Sequence, residues 1–299
     1  MEAVNSVLRP LVAGLLYPFR GLHPLVGLTV VSLVVGIAML LVFKATSNQG
    51  GIAAVKRKIH ACLFEIRLFN DDLRAILRAQ GELLRHNLVY LKYSFVPLLW
   101  MIVPLVLLMA QLQFHYGYEP LAPGESALVE VVLGKGWEGA LPPDAVEEFD
   151  SFGQPVTRPV VALAAPPGVR VETPGVWAPE LREVSWRVAG ERPGDYELEV
   201  TVGGETYGKS LRVAEEREVR RLSPIRPRRD FLRQLLDPAE PPLPAGPVES
   251  IDISYDEANI SILGWKVPAF LDVPSWMWVF FILSIVFAFA LRNRFGVSI

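Results

Sequence analysis

The sequence predicts an α-helical membrane protein that carries an all-β domain between its second and third spans. Three observations point there. Apolar residues make up 51% of the 299 residues and charged residues 20%, with a mean hydropathy of +0.32, greasier than soluble domains usually are. Three uncharged runs, 25–43, 95–114 and 273–291, interrupt the chain. The charge between them alternates: net +1 over 1–24, +5 over 44–94, −11 over 115–272 and +2 over 292–299, inside an overall net charge of −3.

The same composition removes several classes. Disorder as the overall state is excluded, because disordered chains lack apolar mass. The single cysteine, Cys62, excludes a disulfide framework and any multi-cysteine zinc or iron–sulfur site. His23, His60, His86 and His115 are scattered without a ligand spacing such as HExxH, so no metal and no other cofactor is expected. With neither a P-loop nor a GxSxG motif, the chain does not read as an enzyme.

The first run, LVGLTVVSLVVGIAMLLVF from Leu25 to Phe43, is nineteen residues without a charge. At helical rise it covers roughly 28 Å, the thickness of a hydrocarbon core. It is too long for a signal-peptide core and ends in Val-Phe-Lys rather than at a small-residue cleavage site. The second run, Phe95 to Phe114, carries Pro97 and Pro104, which predict a kink. The third, Val273 to Leu291, opens with Trp276 and Trp278 and stops at Arg292, an aromatic anchor followed by a basic stop. The short basic 44–94 loop belongs in the cytoplasm, since Lys and Arg in short loops set orientation. That places the N-terminus outside, residues 115–272 outside and the tail 292–299 inside. Residues 1–24 then form an amphipathic helix lying in the membrane interface.

In 51–69, Ile52, Val55, Ile59, Cys62, Ile66 and Phe69 recur at steps of three and four. Asn70-Asp71-Asp72 interrupts them with capping residues. A second seam follows at Leu73, Leu77, Gln80, Leu84, Leu88 and Leu91. Two seams with a cap between them predict an antiparallel helical hairpin over 44–94, a short coiled coil. Its outer face carries Lys56, Arg57, Lys58, Arg67, Arg74, Arg78, Arg85 and Lys92. These are either a solvated, orientation-setting face or a surface for anionic lipid, ribosomal RNA or a nascent chain.

From 119 to 215 the period changes to two. Strands are predicted at Ala127 to Leu133, 159–165, 169–173, Arg182 to Val188, Asp195 to Val202 and Thr206 to Val213, with turns at 192–195 and at Gly203-Gly204. Short strands around a central Trp predict an immunoglobulin-like β-sandwich without its cysteine pair. Residues 216–249 read as a charged, Pro-rich linker. Residues 250–272 read as a membrane-proximal β segment.

In this order the chain resembles the YidC superfamily of membrane protein insertases, and most of all its short three-span branch. That branch includes the archaeal YidC-like family and the homologous subunit of the ER membrane complex. Three stretches carry the resemblance: RPLVAGLLYPFRGLHPLVGLTVVSLVVG, NDDLRAILRAQGELLRHNLVYLKYSFVPLLWMIVPLVLLMAQLQF and SWMWVFFILSIVFAFALRNRFGV. The chain departs from the family twice. Its first span lacks the Arg that many bacterial insertases place there, and the β-sandwich is an insertion.

The resemblance implies an insertase or membrane chaperone that eases client transmembrane segments into the bilayer through a polar groove, without nucleotide hydrolysis. Groove candidates are Thr29, Ser32 and Gly36 on one helical face, with Gln111 and Ser284. Small and hydroxyl residues serve helix packing equally well. Expected partners are the bilayer, newly made membrane proteins, the ribosome or anionic lipid through the basic hairpin, and a periplasmic protein through the sandwich, but not DNA. The composition suits a bacterial inner membrane. The alternative is a membrane-anchored binding or scaffold module whose sandwich recognises a partner through Trp137, Trp177 and Tyr207.

Overall fold

A computed structural model describes residues 2–69, 71–136, 146–149, 155–216, 218–262, 265–266 and 273–297. The helices are α1 (Glu2–Leu16), α2 (Pro24–Thr46), α3 (Gln49–Leu68), α4 (Leu73–Tyr116), α5 (Phe231–Leu236) and α6 (Ser275–Leu291), and one 3-10 turn, Tyr17–Phe19, joins α1 to α2. The strands are β1 (Ser126–Leu133), β2 (Val146–Phe149), β3 (Pro155–Arg158), β4 (Val161–Ala164), β5 (Val169–Val171), β6 (Val176–Ala178), β7 (Glu183–Gly190), β8 (Gly194–Val202), β9 (Glu205–Val213), β10 (Ile225–Pro227), β11 (Val248–Ile253), β12 (Ser261–Ile262) and β13 (Trp265–Lys266). Two compact units result: Met1–Gly27 with Met109–Trp276, and Leu28–Leu108 with Met277–Ile299.

The first unit is built on antiparallel sheets. The larger runs β10-β11-β1-β7-β5, with β6 also on β7; a smaller one runs β4-β8-β9. Alternation along β1 sends Ala127, Val129, Val131 and Leu133 inward, and β7 adds Val184, Trp186 and Val188. They meet Leu198, Val200 and Val202 of β8 and Tyr207, Leu211 and Val213 of β9 in one core. Gly203 and Gly204 both take positive φ, 59° and 85°, which a two-residue hairpin turn between β8 and β9 requires.

Two boundaries differ from the sequence expectation. The β segment expected over 250–272 begins inside the domain sheet: β11 pairs with β1, Val129 opposite Ile253 and Val131 opposite Ile251, and β12 and β13 then pair with each other. Residues 216–249 are not a plain linker either. They contribute β10 to the same sheet and bury Val219, Leu222, Ala239 and Leu243. Their prolines mark irregular packed chain rather than a free spacer, because apolar residues between the prolines find the domain surface.

In the second unit, α2 and α4 are long and apolar enough to cross a membrane, and α6 is a shorter apolar helix of 17 residues. A Cβ on Gly36 would sit 3.1 Å from the Ser284 carbonyl oxygen and 3.5 Å from the Phe287 Cβ. Further along, the Lys44 ammonium donates to the Phe295 carbonyl at 2.8 Å. Both contacts advance in the same direction, so α2 and α6 run parallel.

α3 and α4 form the predicted antiparallel hairpin. Asn48 caps α3 by accepting from the Gly51 N–H at 2.9 Å, and the Asp72 carboxylate caps α4 by accepting from Arg74 N at 2.9 Å. Asn70 lies outside the described residues. The register is read from three pairs. A Cβ on Gly51 would meet the Tyr93 ring at 3.1 Å, Lys56 lies 5.7 Å from the Tyr90 ring centroid, and Cys62 faces Glu82 and His86.

Candidate functional site

The hairpin buries the first predicted seam except for Phe69, which is exposed, and leaves the second one out. Ile52, Val55 and Cys62 of α3 are buried, with Ile59 and Ile66 half-buried. The α4 residues that meet them are Ala79, fully buried, and the half-buried Ile76, Leu83, His86, Tyr90 and Tyr93. Leu73, Leu77, Leu84, Leu88 and Leu91 remain between 59% and 69% exposed. At 100° per residue the leucine row is centred roughly 130° round α4 from the packed row. Both rows have helical spacing, so the spacing alone does not say which one faces α3.

The exposed row does not end with the hairpin. Phe95, Leu98, Ile102 and Val106 extend it on the same face, and there it widens, because Val96, Leu99, Trp100 and Val103 on other faces are exposed as well. From Leu73 to Leu91 the stripe stays within roughly 60° of arc over about 27 Å of helix, before it opens into the broader apolar surface of 95–106. Arg74, Arg78, Arg85 and Lys92 follow one edge, roughly 100° from its centre. Of the basic face predicted from sequence, Lys56 is half-buried, whereas Arg57, Lys58, Arg67, Arg74, Arg78 and Arg85 are exposed. The surface is therefore an apolar track with a cationic border.

The groove candidates are placed as follows. Thr29 is half-buried and has a polar partner. Ser32 is fully buried, and its hydroxyl has no hydrogen-bond partner among the described residues; the Ser284 hydroxyl is likewise buried and unpartnered. Gly36 is the close-approach point of α2 to α6 described above. These four belong to the second unit and Gln111 to the first. Gln111 is buried, its amide donating to the Asn5 side-chain oxygen at 3.5 Å while its own oxygen has no hydrogen-bond partner among the described residues. Its neighbour Gln113 accepts from the Trp276 indole at 3.0 Å.

One group missed by the sequence reading is Cys62, Glu82 and His86. Each offers one ligand atom, all within 4.8 Å of one another. Glu82 and His86 lie one helical turn apart on α4 while Cys62 comes from α3, so only the hairpin register joins them. Burial, with Glu82 and Glu65 nearby, pushes the Cys62 thiol up. The set falls one short of a closed four-ligand zinc site.

In the first unit, Arg20, Arg212, Arg220, Arg221, His115 and Glu240 line part of a cavity of about 470 Å3. Arg212 and Arg220 are already spoken for, each paired with Asp195 and Glu218. Tyr207, a candidate for a partner surface, is a core residue whose hydroxyl donates to Glu205 at 2.6 Å. Trp177 packs half-buried against the same core, and Trp137 lies outside the described residues.

Comparison with known protein families, with curated proteins and with solved structures finds no match.

Proposed function

We propose that the protein is a YidC-like membrane insertase or membrane chaperone. It receives the apolar helix of a newly made membrane protein on α4 and passes it toward the bilayer without nucleotide hydrolysis. The observation that carries this reading is the apolar stripe, which begins in the hairpin, continues into an apolar helix and is not consumed by folding. A stripe of this width and period suits a helical client, which can lie along it by its own apolar face. The basic border suits the anionic surroundings of translation or of the inner leaflet.

In this reading α2, α4 and α6 are three spans, N-terminus outside and C-terminus inside, in a bacterial inner membrane. The parallel course of α2 and α6 supports it, because two odd-numbered spans must run the same way. Ser32 and Ser284 bring buried hydroxyls to those helices, and a client's polar group could exchange into their company when the helices part. Each such group matters, since a charge at the bilayer centre costs about 2.5–3.5 kcal/mol even on insertion scales. The β-domain, in the immunoglobulin-like arrangement read from the sequence, is an outer accessory.

The test is reconstitution of the full chain in nucleotide-free liposomes with a small membrane protein client, scored by protease protection. Insertion above that of empty liposomes, reduced in Leu84→Ser/Leu88→Ser, is expected. Insertion equal to empty liposomes overturns the proposal and leaves the anchored binding module.

A further inference from the structure

Two helical elements of the first unit expose apolar faces that its core does not use. α1 buries Asn5, Val12 and Leu16, and turns Val4, Val7, Leu11 and Leu15 outward at steps of three and four. α5 starts after Asp230, whose carboxylate accepts from Arg233 N, and it buries Gln234 while exposing Phe231, Leu232 and Leu236.

These elements are far apart in sequence and fixed to one another. The Asn5 amide donates to the Gln234 carbonyl at 2.7 Å. The Arg9 guanidinium donates to the carbonyls of Pro238 at 2.6 Å and Glu240 at 2.8 Å. Arg229 pairs with Glu2 at 3.4 Å. The segment that Arg9 grips is pinned from inside, where the fully buried Lys209 ammonium donates to Glu240 at 2.9 Å and to the Ser223 hydroxyl at 2.8 Å. Polar faces thus join α1 and α5 to the domain, and apolar faces are left over on both.

What covers those faces is argued from three observations. α1 passes through the single turn Tyr17–Phe19 into the 23-residue apolar α2 at Pro24, so its end lies within eight residues of an apolar helix long enough to cross a bilayer. The cation of Arg20 sits 4.7 Å from the Tyr17 ring centroid, an aromatic–cation pair of the kind favoured at the headgroup layer. Arg228 and Arg229, both exposed, stand just before the Asp230 cap of α5, Arg229 sharing its charge with Glu2, and such a rim suits anionic headgroups better than a second copy with the same charge.

We propose that α1 and α5 together form a lipid-binding platform, by which the β-domain lies on the bilayer surface with Phe231, Leu232 and Leu236 among the acyl chains just below the headgroups. Interfacial helices bind in this way, with the apolar face down and cations at the phosphates. The platform requires α2 to be a membrane span and is independent of insertase activity.

The experiment uses the full chain. With Cys62→Ser as background, single cysteines replace Leu11, Leu232, Leu236 and, as a control on exposed β6, Val176. Each carries a nitroxide label in vesicles of mixed zwitterionic and anionic phospholipid. The ratio of oxygen to nickel-chelate accessibility at Leu232 and Leu236 is expected to match Leu11 and to exceed Val176 several-fold. Removing the anionic lipid is expected to lower it. A ratio at Leu232 and Leu236 equal to that at Val176 overturns the proposal. So does protection from both reagents with dipolar broadening that vanishes on dilution into excess lipid, because the cover is then a second copy.

Discussion

The β-domain and α4 both carry strongly apolar faces, and only the domain uses its face to fold. Val129, Val131 and Val188 alternate along β1 and β7 and are 0% exposed. Leu84 and Leu88 sit on an equally regular period and are 65% and 60% exposed. The contrast teaches that apolar periodicity identifies a face and not its occupant. In the domain the occupant is the opposite sheet. On α4 the packed side is taken by residues such as Ala79 and Tyr93, and the leucine row is left exposed.

Substitutions that probe the contrast rank by how much of the fold each face supports. The largest effect belongs to the core: Trp186→Ala is expected to cost about 3–5 kcal/mol, read as the urea midpoint of the β-domain. The indole is well filled around, since a Cβ on Gly175 would meet it at 2.9 Å.

Next comes the pinned segment. Burial pushes the Lys209 ammonium down, opposed by Glu240. Burial raises the Glu240 carboxyl too, but Lys209 and the Ser210 N–H outweigh it and hold it below the ordinary range. Glu240→Gln strands the buried cation and is expected to cost about 3 kcal/mol. Lys209→Met/Glu240→Gln is expected to recover most of that, in the same denaturation measurement.

A smaller effect of opposite sign is expected at Asp252. Burial raises its carboxyl from 3.8 to about 6, opposed by the Ser250 hydroxyl and Lys209 and reinforced by Glu130 and Asp237; Glu130 is its cross-strand partner. Between those values the folded state holds a proton that the unfolded chain has released, so stability falls as pH rises through the window. Asp252→Asn is expected to flatten that fall and to stabilise the domain at neutral pH by on the order of 2 kcal/mol. A series of denaturation curves from pH 4 to 7 checks it.

The smallest stability effect is expected from the stripe: Leu84→Ser and Leu88→Ser should each stay within about 0.5 kcal/mol. A large destabilisation there would mean the leucines serve the hairpin after all, and the contrast with the core would collapse.

Much of this fold was legible in the chain because its signals are local. Helix and strand periods, the Asp72 cap and the Gly203-Gly204 turn each declare themselves within a few residues. The pairing of β11 with β1 was not legible, because more than a hundred residues separate Val129 from Ile253 and the intervening prolines read as a linker. Nor was the face of α4 that meets α3, since two helical-period rows compete and only three-dimensional register chooses. The same register hides the Cys62, Glu82 and His86 group. Of the groove candidates, Gly36 shows why small residues are ambiguous: the absence of a side chain that would open a groove also lets α6 approach.

The most direct measurement is site-specific photocrosslinking to ribosome-bound nascent membrane proteins. Probes would replace Leu84, Leu88 and Ile102 along the stripe, with Ala79 and Leu128 as buried and β-domain controls. Adducts from the three stripe positions, moving from Leu84 to Ile102 as the nascent chain lengthens, are the predicted result. Adducts confined to Leu128, or none from the stripe in a correctly inserted protein, would contradict a client path along α4.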